Sequence, residues 1–342
     1  MKVGILSGGG DAPGINAVIR AAVRKGILYY AFEMLGIRDG WRGLLEGDTF
    51  PLSLETITGI LPLGGSILGT SRTNPFQRKD GLRSIFENGE KAGIDAVIVI
   101  GGDDTQYVAQ KLYEQGLRCV SVPKTIDNDL AFTDYTFGFN TAVSIATEAL
   151  DRIHTTAEAH HRVMIVEVMG RYTGWIALEA GIAGGADAIL IPEHPFDIED
   201  VCRYIQQRQE RGKHFSIIVA AEGAKPKGGK EIIYRDKVDE FGNVRLGGVG
   251  YFLGKEIEDR TDIETRVVVL GHLQRGGSPS AFDRMLATRY GIAAIDLVKQ
   301  GRFGLMVGLK GNQITSVPLL NVVGKRKTVD PKLYEVAKVF FG

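Results

Sequence analysis

The chain has 342 residues and a mass of 37.2 kDa, a length that suggests about two domains. Hydrophobic residues make up 44% of the chain and charged residues 24%, which excludes a disordered or fibrous protein. Lys plus Arg and Asp plus Glu each number 41, so the formal net charge is zero. Nucleic-acid or anionic-membrane binding needs a basic excess, so we expect neither of these partners.

The targeting and cysteine patterns are those of a cytoplasmic protein. No apolar run reaches about 18 residues, so no transmembrane helix is expected. The N-terminus enters a strand pattern directly, without the design of a signal peptide. Cys119 and Cys202 belong to no Cys-x-x-Cys pattern, which argues against a disulfide framework or a zinc site.

Short, almost continuous apolar runs alternate along the chain with longer helical patterns. The runs predict strands at residues 3–7, 96–101, 120–123, 163–168, 188–191, 216–221 and 266–270. The patterns between them predict helices at residues 15–30, 79–91, 107–115, 141–157, 174–183, 198–211 and 280–299. This alternation predicts an α/β fold whose parallel sheets are buried on both faces. Ligands bind such sheets at the carboxyl ends of the strands.

Residues 225–248 interrupt this alternation. Turn sequences at 225–230 and 241–243 predict a surface hairpin with solvated lysines. Further along, residues 305–318 predict strands on either side of Lys310-Gly311-Asn312, and residues 332–341 predict a closing helix.

A glycine-rich turn, Ser-Gly-Gly-Gly-Asp-Ala-Pro-Gly at residues 7–14, joins the first strand to the first helix. Glycines such as Gly9 and Gly10 let backbone N–H groups approach a phosphate, and a helix N-terminus favours its negative charge. The turn matches neither Gly-x-Gly-x-x-Gly nor a P-loop. The alternative of a tight turn without a ligand therefore stays open.

The second candidate site follows the strand at 96–101. Gly102 again permits the close approach of a ligand, and Asp103 is a candidate Mg²⁺ ligand. Mg²⁺ takes its oxygens from one or two carboxylates together with phosphate groups. The alternative is an aspartate that caps a helix beginning at Thr105, although Asp103 and Asp104 together are more than a cap requires.

The densest polar cluster is Pro-Lys-Thr-Ile-Asp-Asn-Asp at residues 123–129, after the strand at 120–123. One of the carboxylates can take a proton from a substrate hydroxyl, while the other reaches a metal or orients the first. An Asx-rich turn is the alternative. Lys124 would be unusual in such a turn beside buried strands, which favours a functional interpretation.

Cations and glycines recur at other strand ends and in a glycine-rich loop. Several arginines in such positions predict a clamp for phosphate groups. The arginines are Arg72, Arg162, Arg171, Arg266 and Arg275, and Met169, Gly170, Glu222 and His272 also follow strands. The pair His160-His161 has no third ligand at metal spacing, so it predicts no metal site.

These motifs together resemble the phosphofructokinase family over nearly the whole chain. The most specific are Thr-Ile-Asp-Asn-Asp at 125–129 and Met-Gly-Arg at 169–171. The resemblance implies two doubly wound α/β domains with largely parallel sheets and the active site in the cleft between them. Residues 1–138 plus 274–324 would bind the phosphoryl donor, and residues 139–273 plus 325–342 would bind fructose 6-phosphate. A homotetramer is also implied, with a homodimer as the alternative.

The resemblance implies a role for each matching residue in phosphoryl transfer to the 1-hydroxyl of fructose 6-phosphate. Asp127 is the expected base, with Thr125, Asp129 and Arg171 as the other catalytic residues and Asp103 as the Mg²⁺ ligand. The expected donor-binding residues are Gly9, Gly10, Arg72, Gly102, Asp104 and Thr105. The expected sugar-phosphate residues are Met169, Gly170, Glu222, His272 and Arg275, with Arg162 and Arg266 reaching the 6-phosphate from a neighbouring subunit.

The chain departs from the ATP-using members of the family where the donor binds. Those members have glycine at the positions of Asp104 and Lys124, whereas the diphosphate-using members resemble this chain at both. A carboxylate at Asp104 repels the α-phosphate of ATP, since like charges about 4 Å apart cost ~4 kcal/mol at an effective dielectric constant of about 20. Lys124 adds a catalytic cation for a donor that is almost all charge, and Val108 replaces a small residue against which adenine packs. The expected donor is therefore diphosphate, in a reversible reaction.

Two alternatives remain open, an ATP-dependent 6-phosphofructokinase and a non-catalytic subunit that only binds sugar phosphate. The intact set of acidic residues argues against the second. The family's effector pocket is matched at Arg211 and Lys213 but not at Leu54, His154 and Asp187. We therefore expect no control of the enzyme by nucleotides or phosphoenolpyruvate.

Overall fold

The computed structural model describes residues 1–229, 233–238, 240–242 and 244–342. Lys230 and Asn243, which belong to the turns of the predicted hairpin, lie outside the described residues. Within the described part of the chain, no helix is both long and apolar enough to span a membrane.

The strands are β1 (Lys2–Ser7), β2 (Glu33–Ile37), β3 (Thr49–Leu52), β4 (Ala96–Gly101), β5 (Cys119–Pro123), β6 (Val163–Val168), β7 (Ala188–Leu190), β8 (Ser216–Ala221), β9 (Ile233–Val238), β10 (Val244–Leu246), β11 (Thr265–Val269), β12 (Leu305–Lys310) and β13 (Gln313–Pro318). The helices are α1 (Ile15–Tyr30), α2 (Trp41–Glu46), α3 (Gly81–Ala92), α4 (Asp103–Glu114), α5 (Phe139–His160), α6 (Trp175–Ala183), α7 (Ile198–Glu210), α8 (Val249–Thr261), α9 (Ala281–Lys299), α10 (Leu319–Val322) and α11 (Pro331–Lys338). Two short 3₁₀ segments lie at Pro75–Gln77 and Gly271–Arg275.

The larger sheet has seven strands in the order β13-β12-β5-β4-β1-β2-β3. Its central strands are parallel, and the edge strands β3 and β13 run antiparallel to their neighbours. Successive side chains enter two different hydrophobic clusters: Val3 and Ile98 lie in one, and Leu6 and Val97 in the other. Both faces of the sheet are therefore covered, which explains why its central strands are continuous apolar runs.

The smaller sheet has four parallel strands in the order β11-β6-β8-β7. All residues of β6, β7 and β8 are buried. The predicted α/β fold class with largely parallel sheets is confirmed.

Contacts between Cα atoms divide the chain into two compact units. The first comprises residues 1–140, 239–243 and 275–326, and the second comprises residues 141–238, 244–274 and 327–342. The predicted domain boundaries at 138, 274 and 324 fall within two residues of these divisions, but the sequence did not indicate that 239–243 belongs with the first unit. The assignment of donor and sugar phosphate to the two units stays a prediction.

Most predicted elements are found within a few residues of their expected positions, and the hairpin is present as the antiparallel pair β9 and β10. Three regions were missed: the segment from β2 to β3, helix α8 and the short helix α10. In α8 the glycines Gly250 and Gly254 lower helix propensity. The packing explains Gly250, because a Cβ there would lie 2.7 Å from a methyl group of Val267 on β11.

Candidate active site

The turn after β1 contains glycines at positions where the surrounding residues leave little room for a side chain. Gly9 has a φ of +83°, in the left-handed region that favours glycine. A Cβ at Gly8 would lie 2.8 Å from Oγ1 of Thr105, and a Cβ at Gly10 would lie 2.7 Å from Nη1 of Arg275. The turn thus lies next to Thr105, a predicted donor-binding residue, and at Gly10 it lies next to Arg275, which the sequence had assigned to the sugar phosphate.

The segment that carries Arg72 is joined to the same turn. Gly9 N donates to Ser71 O at 2.9 Å, and Thr70 Oγ1 donates to Gly9 O at 2.7 Å. Arg72 follows directly and is exposed. An exposed guanidinium next to a glycine-rich turn is well suited to a phosphate ligand.

Lys124, directly after β5, is 2% exposed although it carries an amino group. Its Nζ donates a hydrogen bond to the carbonyl oxygen of Gly10. Burial, and then the positive charge of Arg275, lower the pKa of Lys124 to about 7, while Asp11 and Asp127 act in the opposite direction. A buried amine beside an arginine gains its proton more readily when an anion joins them. The pair is therefore suited to binding a small, highly charged anion.

Helix α4 begins at Asp103, which places Asp103 and Asp104 in its first turn. The N-cap residue is Gly102, which makes no side-chain capping hydrogen bond. The alternative in which an aspartate caps a helix that begins at Thr105 is therefore wrong. Carboxylates in the first turn are stabilised by the helix dipole, but they leave the N-cap position to a glycine that a ligand can approach.

The surroundings of Asp103 fit the expected Mg²⁺. Among the described residues, its Oδ1 is buried and has no hydrogen-bond partner, which is costly for a carboxylate without a cation. Burial raises the pKa of Asp103, although the charge of Arg326 opposes this shift. The described chain holds no group of three or more His, Cys, Asp or Glu side chains arranged around a metal. A Mg²⁺ ion here would take its other oxygens from donor phosphates and water.

The loop at 125–129 is held in one conformation by hydrogen bonds. Asn128 has a φ of +51°, and its side-chain oxygen accepts a hydrogen bond from Thr136 N at 3.0 Å. Thr136 Oγ1 donates to Thr125 O at 2.7 Å, and Asp127 N donates to Thr125 Oγ1 at 3.1 Å. These contacts fix the backbone that carries Asp127 and Asp129, the two candidate acid–base groups.

Asp129 has a partner that the sequence analysis missed. Burial and then the negative charge of Asp127 raise the pKa of Asp129, while Arg326 opposes the shift. Nε of Arg326 lies 3.9 Å from Oδ2 of Asp129. The basic run at 325–327, shortly after the short helix α10, is the sequence signal that could have identified this arginine.

A cavity of about 560 Å³ lies beside the N-terminus of α4, where Asp103, Asp104 and Tyr107 line it. Its other lining residues are Asn74, Gln77, Glu240, Phe241, Gly242, Val323 and Gly324. All of these residues belong to the first unit. Val108, which the sequence connected with the adenine position, is fully buried in the core and does not line the cavity.

In the second unit, the predicted residues 169–171 directly follow β6. Gly170 has a φ of +140°, and a Cβ there would lie 2.6 Å from the carbonyl oxygen of Thr173. Gly223 N donates to Gly170 O at 3.1 Å, which joins the ends of β6 and β8. Arg171 and Glu222 therefore leave neighbouring strands at the same edge of the sheet.

The 3₁₀ segment Gly271–Arg275 is tied to the end of β6 as well. The side chain of Gln274 is fully buried; its Oε1 accepts from Met169 N at 3.3 Å, and its Nε2 donates to Gly271 O at 3.1 Å. His272 in the same segment is exposed. Gln274, which the sequence analysis missed, thus joins the backbone at Met169 to the backbone at Gly271, the residue before His272.

Arg162 and Arg266 share one carboxylate. Nε of Arg162 lies 2.7 Å from Oε2 of Glu264, and a guanidinium nitrogen of Arg266 contacts Oε1 of the same residue. The hydrogen bond from Arg162, followed by the charges of the two arginines, lowers the pKa of Glu264. Glu264 was missed by the sequence analysis, because its role depends on β6 and β11 being adjacent.

The predicted site residues are thus divided between the units. The first unit contains Gly9, Gly10, Arg72, Gly102, Asp103, Asp104, Thr105, Lys124, Thr125, Asp127, Asp129 and Arg275. The second unit contains Arg162, Met169, Gly170, Arg171, Glu222, Arg266 and His272. Within each unit they concentrate at strand ends, and their individual roles stay predictions.

The phosphofructokinase family model matches residues 2–298. A pyrophosphate–fructose 6-phosphate 1-phosphotransferase of Streptomyces coelicolor is 58% identical over 343 residues, covering 100% of both chains. An ATP-dependent 6-phosphofructokinase 3 of the same organism is 50% identical and covers 99% of both chains. Among solved structures, phosphofructokinase from Saccharomyces cerevisiae matches with a TM-score of 0.81 and 32% identity, over 94% of this chain and 45% of that chain.

Proposed function

The chain belongs to the phosphofructokinase family, and we propose that it is a diphosphate-dependent 6-phosphofructokinase. It transfers a phosphoryl group reversibly from diphosphate to the 1-hydroxyl of fructose 6-phosphate, giving fructose 1,6-bisphosphate and phosphate. The observation that carries the choice of donor is the buried amine of Lys124, held against Gly10 beside Arg275. Such a pair suits a donor that offers only charge for recognition.

Asp127 is the proposed base. Its carboxylate takes the proton of the sugar hydroxyl as the oxygen attacks the transferred phosphorus, and the P–O bond to the departing phosphate breaks. Thr125 positions Asp127 through the hydrogen bond from Asp127 N to its hydroxyl group. Asp129, held near Arg326, is the second acidic group of this loop and helps to orient the reaction.

The donor is bound mainly by backbone and cationic groups of the first unit. Gly9 and Gly10 offer the close approach to phosphate that a glycine-rich turn permits, and Gly102 and Thr105 extend it at α4. The side chains of Arg72 and Lys124 bind the donor's charge. A Mg²⁺ ion on Asp103 would neutralise charge on the phosphate oxygens.

The sugar phosphate is bound by residues of the second unit. Arg171 stabilises the transferred phosphoryl group, and Met169, Gly170, Glu222 and His272 contact the sugar, with Arg275 of the first unit. Arg162 and Arg266 bind the 6-phosphate of the substrate held by a neighbouring subunit, so the protein is an oligomer. The proposed state is a homotetramer, with a homodimer as the alternative. The proposed location is the cytoplasm, as expected from the sequence.

A donor comparison tests the proposal. The purified protein is assayed with fructose 6-phosphate and either diphosphate or ATP, with Mg²⁺ present and after chelation. We expect a higher kcat/KM with diphosphate and loss of activity without the metal. A preference for ATP would overturn the donor assignment and favour the function named for the relative at 50% identity.

A further inference from the structure

The turn at residues 240–242 is fixed to the segment that follows Arg72. Oε2 of Glu240 accepts a hydrogen bond from Asn74 N at 2.9 Å, and its Oε1 lies 2.7 Å from Nη2 of Arg78. Nε2 of Gln77 donates to the carbonyl oxygen of Glu240. One residue therefore makes three polar contacts with residues 74–78.

Phe241 anchors the same turn through its apolar ring. It packs against the hydrophobic cluster that contains Val108, Leu319 and Val322. Helix α4, whose first residue is the candidate Mg²⁺ ligand Asp103, contributes Val108 to this cluster. The polar and apolar contacts together give the turn one defined position.

This position makes the turn part of the wall of the 560 Å³ cavity. Glu240, Phe241 and Gly242 line it together with Asp103 and Asp104. The cavity begins where the donor's phosphates are expected to end, at the first turn of α4. It is therefore the space into which any group attached to the outer phosphate of a longer donor would extend.

We propose that Glu240 is a specificity-determining residue that holds the 240–242 turn in place and thereby disfavours nucleotide donors. The inference rests on the proposed use of diphosphate. A diphosphate ends at its second phosphate, so the fixed position of the turn has little effect on its binding. A nucleotide must place a ribose and a base in the cavity, against a fixed turn and near the carboxylates of Glu240 and Asp104. Discrimination by obstacles to the wrong ligand is a general route to specificity.

The test compares the binding of ADP and the use of diphosphate in matched variants. Glu240→Ala removes both side-chain contacts of Glu240, and Arg78→Ala removes the ion pair alone. Glu240→Gln keeps an oxygen that can accept from Asn74 N. Glu87→Ala is the control, because Glu87 forms a comparable exposed ion pair with Arg83 on α3, at 2.6 Å, and does not line the cavity.

ADP affinity is measured by calorimetry in the presence of Mg²⁺, without turnover. We expect Glu240→Ala to bind ADP about tenfold more tightly than the wild type, equivalent to ~1.4 kcal/mol. The gain should be smaller for Glu240→Gln and Arg78→Ala and absent for Glu87→Ala. kcat/KM with diphosphate should change by less than about threefold, since the variants leave the groups that bind phosphate intact.

Unchanged ADP affinity in the Glu240 variants and in Arg78→Ala would overturn the inference. A parallel loss of ADP binding and of diphosphate activity would also overturn it, since that pattern indicates general damage to the site. If Glu240→Ala does not fold, Glu240→Gln and Arg78→Ala decide the question. A wild-type protein that does not use diphosphate at all would refute the proposed function, whereas the ADP measurement would still report on Glu240.

Discussion

The amine of Lys124 donates a hydrogen bond to the carbonyl oxygen of Gly10, which joins the loop after β5 to the turn after β1. The two residues are 114 positions apart in the chain. The strands β1, β4 and β5 are parallel, and only β4 separates β1 from β5. The loops that follow β1 and β5 therefore lie at the same edge of the sheet. An amine whose pKa is lowered to about 7 thus lies against the glycine-rich turn.

The first prediction concerns the base. Asp127→Asn should lower kcat by about 10²- to 10⁴-fold, the usual contribution of general-base catalysis, and change KM for fructose 6-phosphate much less. Steady-state kinetics measure both values. Asp80→Asn, at an exposed residue before α3, is the matched control and should behave as the wild type. A variant of Asp127 with nearly full kcat would remove it from this role.

The second prediction concerns the choice of donor. Asp104→Gly should raise kcat/KM for ATP, because it removes a like charge from the path of the α-phosphate; each ~1.4 kcal/mol of relieved repulsion is about tenfold. Lys124→Gly should reduce the use of diphosphate more than that of ATP. The effects should not add in the double variant, because both residues act on the same donor. No gain of ATP use in Asp104→Gly would show that Asp104 does not exclude the nucleotide.

The third prediction concerns pH. The pKa of Lys124 is lowered to about 7 in the folded protein from the ordinary lysine value of 10.5. Between these values the unfolded chain binds more protons at this residue, so its contribution to stability rises with pH, by at most ~1.4 kcal/mol per pH unit. Urea unfolding from pH 7 to 10 should show the wild type gaining stability relative to Lys124→Met. A constant difference between the two proteins would mean that Lys124 keeps an ordinary pKa.

The fourth prediction concerns Arg162 and Arg266, which share Glu264. Arg266→Ala should raise KM for fructose 6-phosphate and leave KM for diphosphate almost unchanged. Arg260→Ala is the control, because Arg260 pairs with Glu256 near the end of α8.

Sedimentation velocity should show a homotetramer for the wild type. A fully active monomer would contradict the proposal that these arginines serve a neighbouring subunit.

The fifth prediction concerns effectors. Nucleotides and phosphoenolpyruvate should change the rate little, because Asp187 is already engaged within the protein. It pairs with Arg208 at 2.8 Å and accepts a hydrogen bond from Ile217 N at 2.8 Å. Initial rates at low fructose 6-phosphate, with and without ADP, measure the effect. Saturable activation by ADP with sigmoidal sugar kinetics would show that an effector pocket is present.

The sequence by itself determined the fold class and the positions of most of the candidate residues. Strands such as β4 and β6 were predicted with their observed bounds, because a strand buried on both faces must be apolar at every position. The glycine-rich turn and the 125–129 loop were found for a related reason: polar and glycine-rich segments directly after such strands stand out against them. The helix α8 escaped detection, because its glycines suit its packing and weaken the local helical pattern.

Only the tertiary structure decided which of these segments touch. The burial of Lys124, and with it the lowered pKa, depends on the turn after β1 and on Arg275, which the sequence had assigned to the sugar phosphate. The contacts of Asp129 with Arg326 and of Glu240 with Arg78 join segments that are distant in the chain. Local patterns record whether a side chain is buried in its own strand or helix, but they carry no information about its partner across the fold. The pKa shifts of the site depend on those partners, so the sequence alone could not predict them.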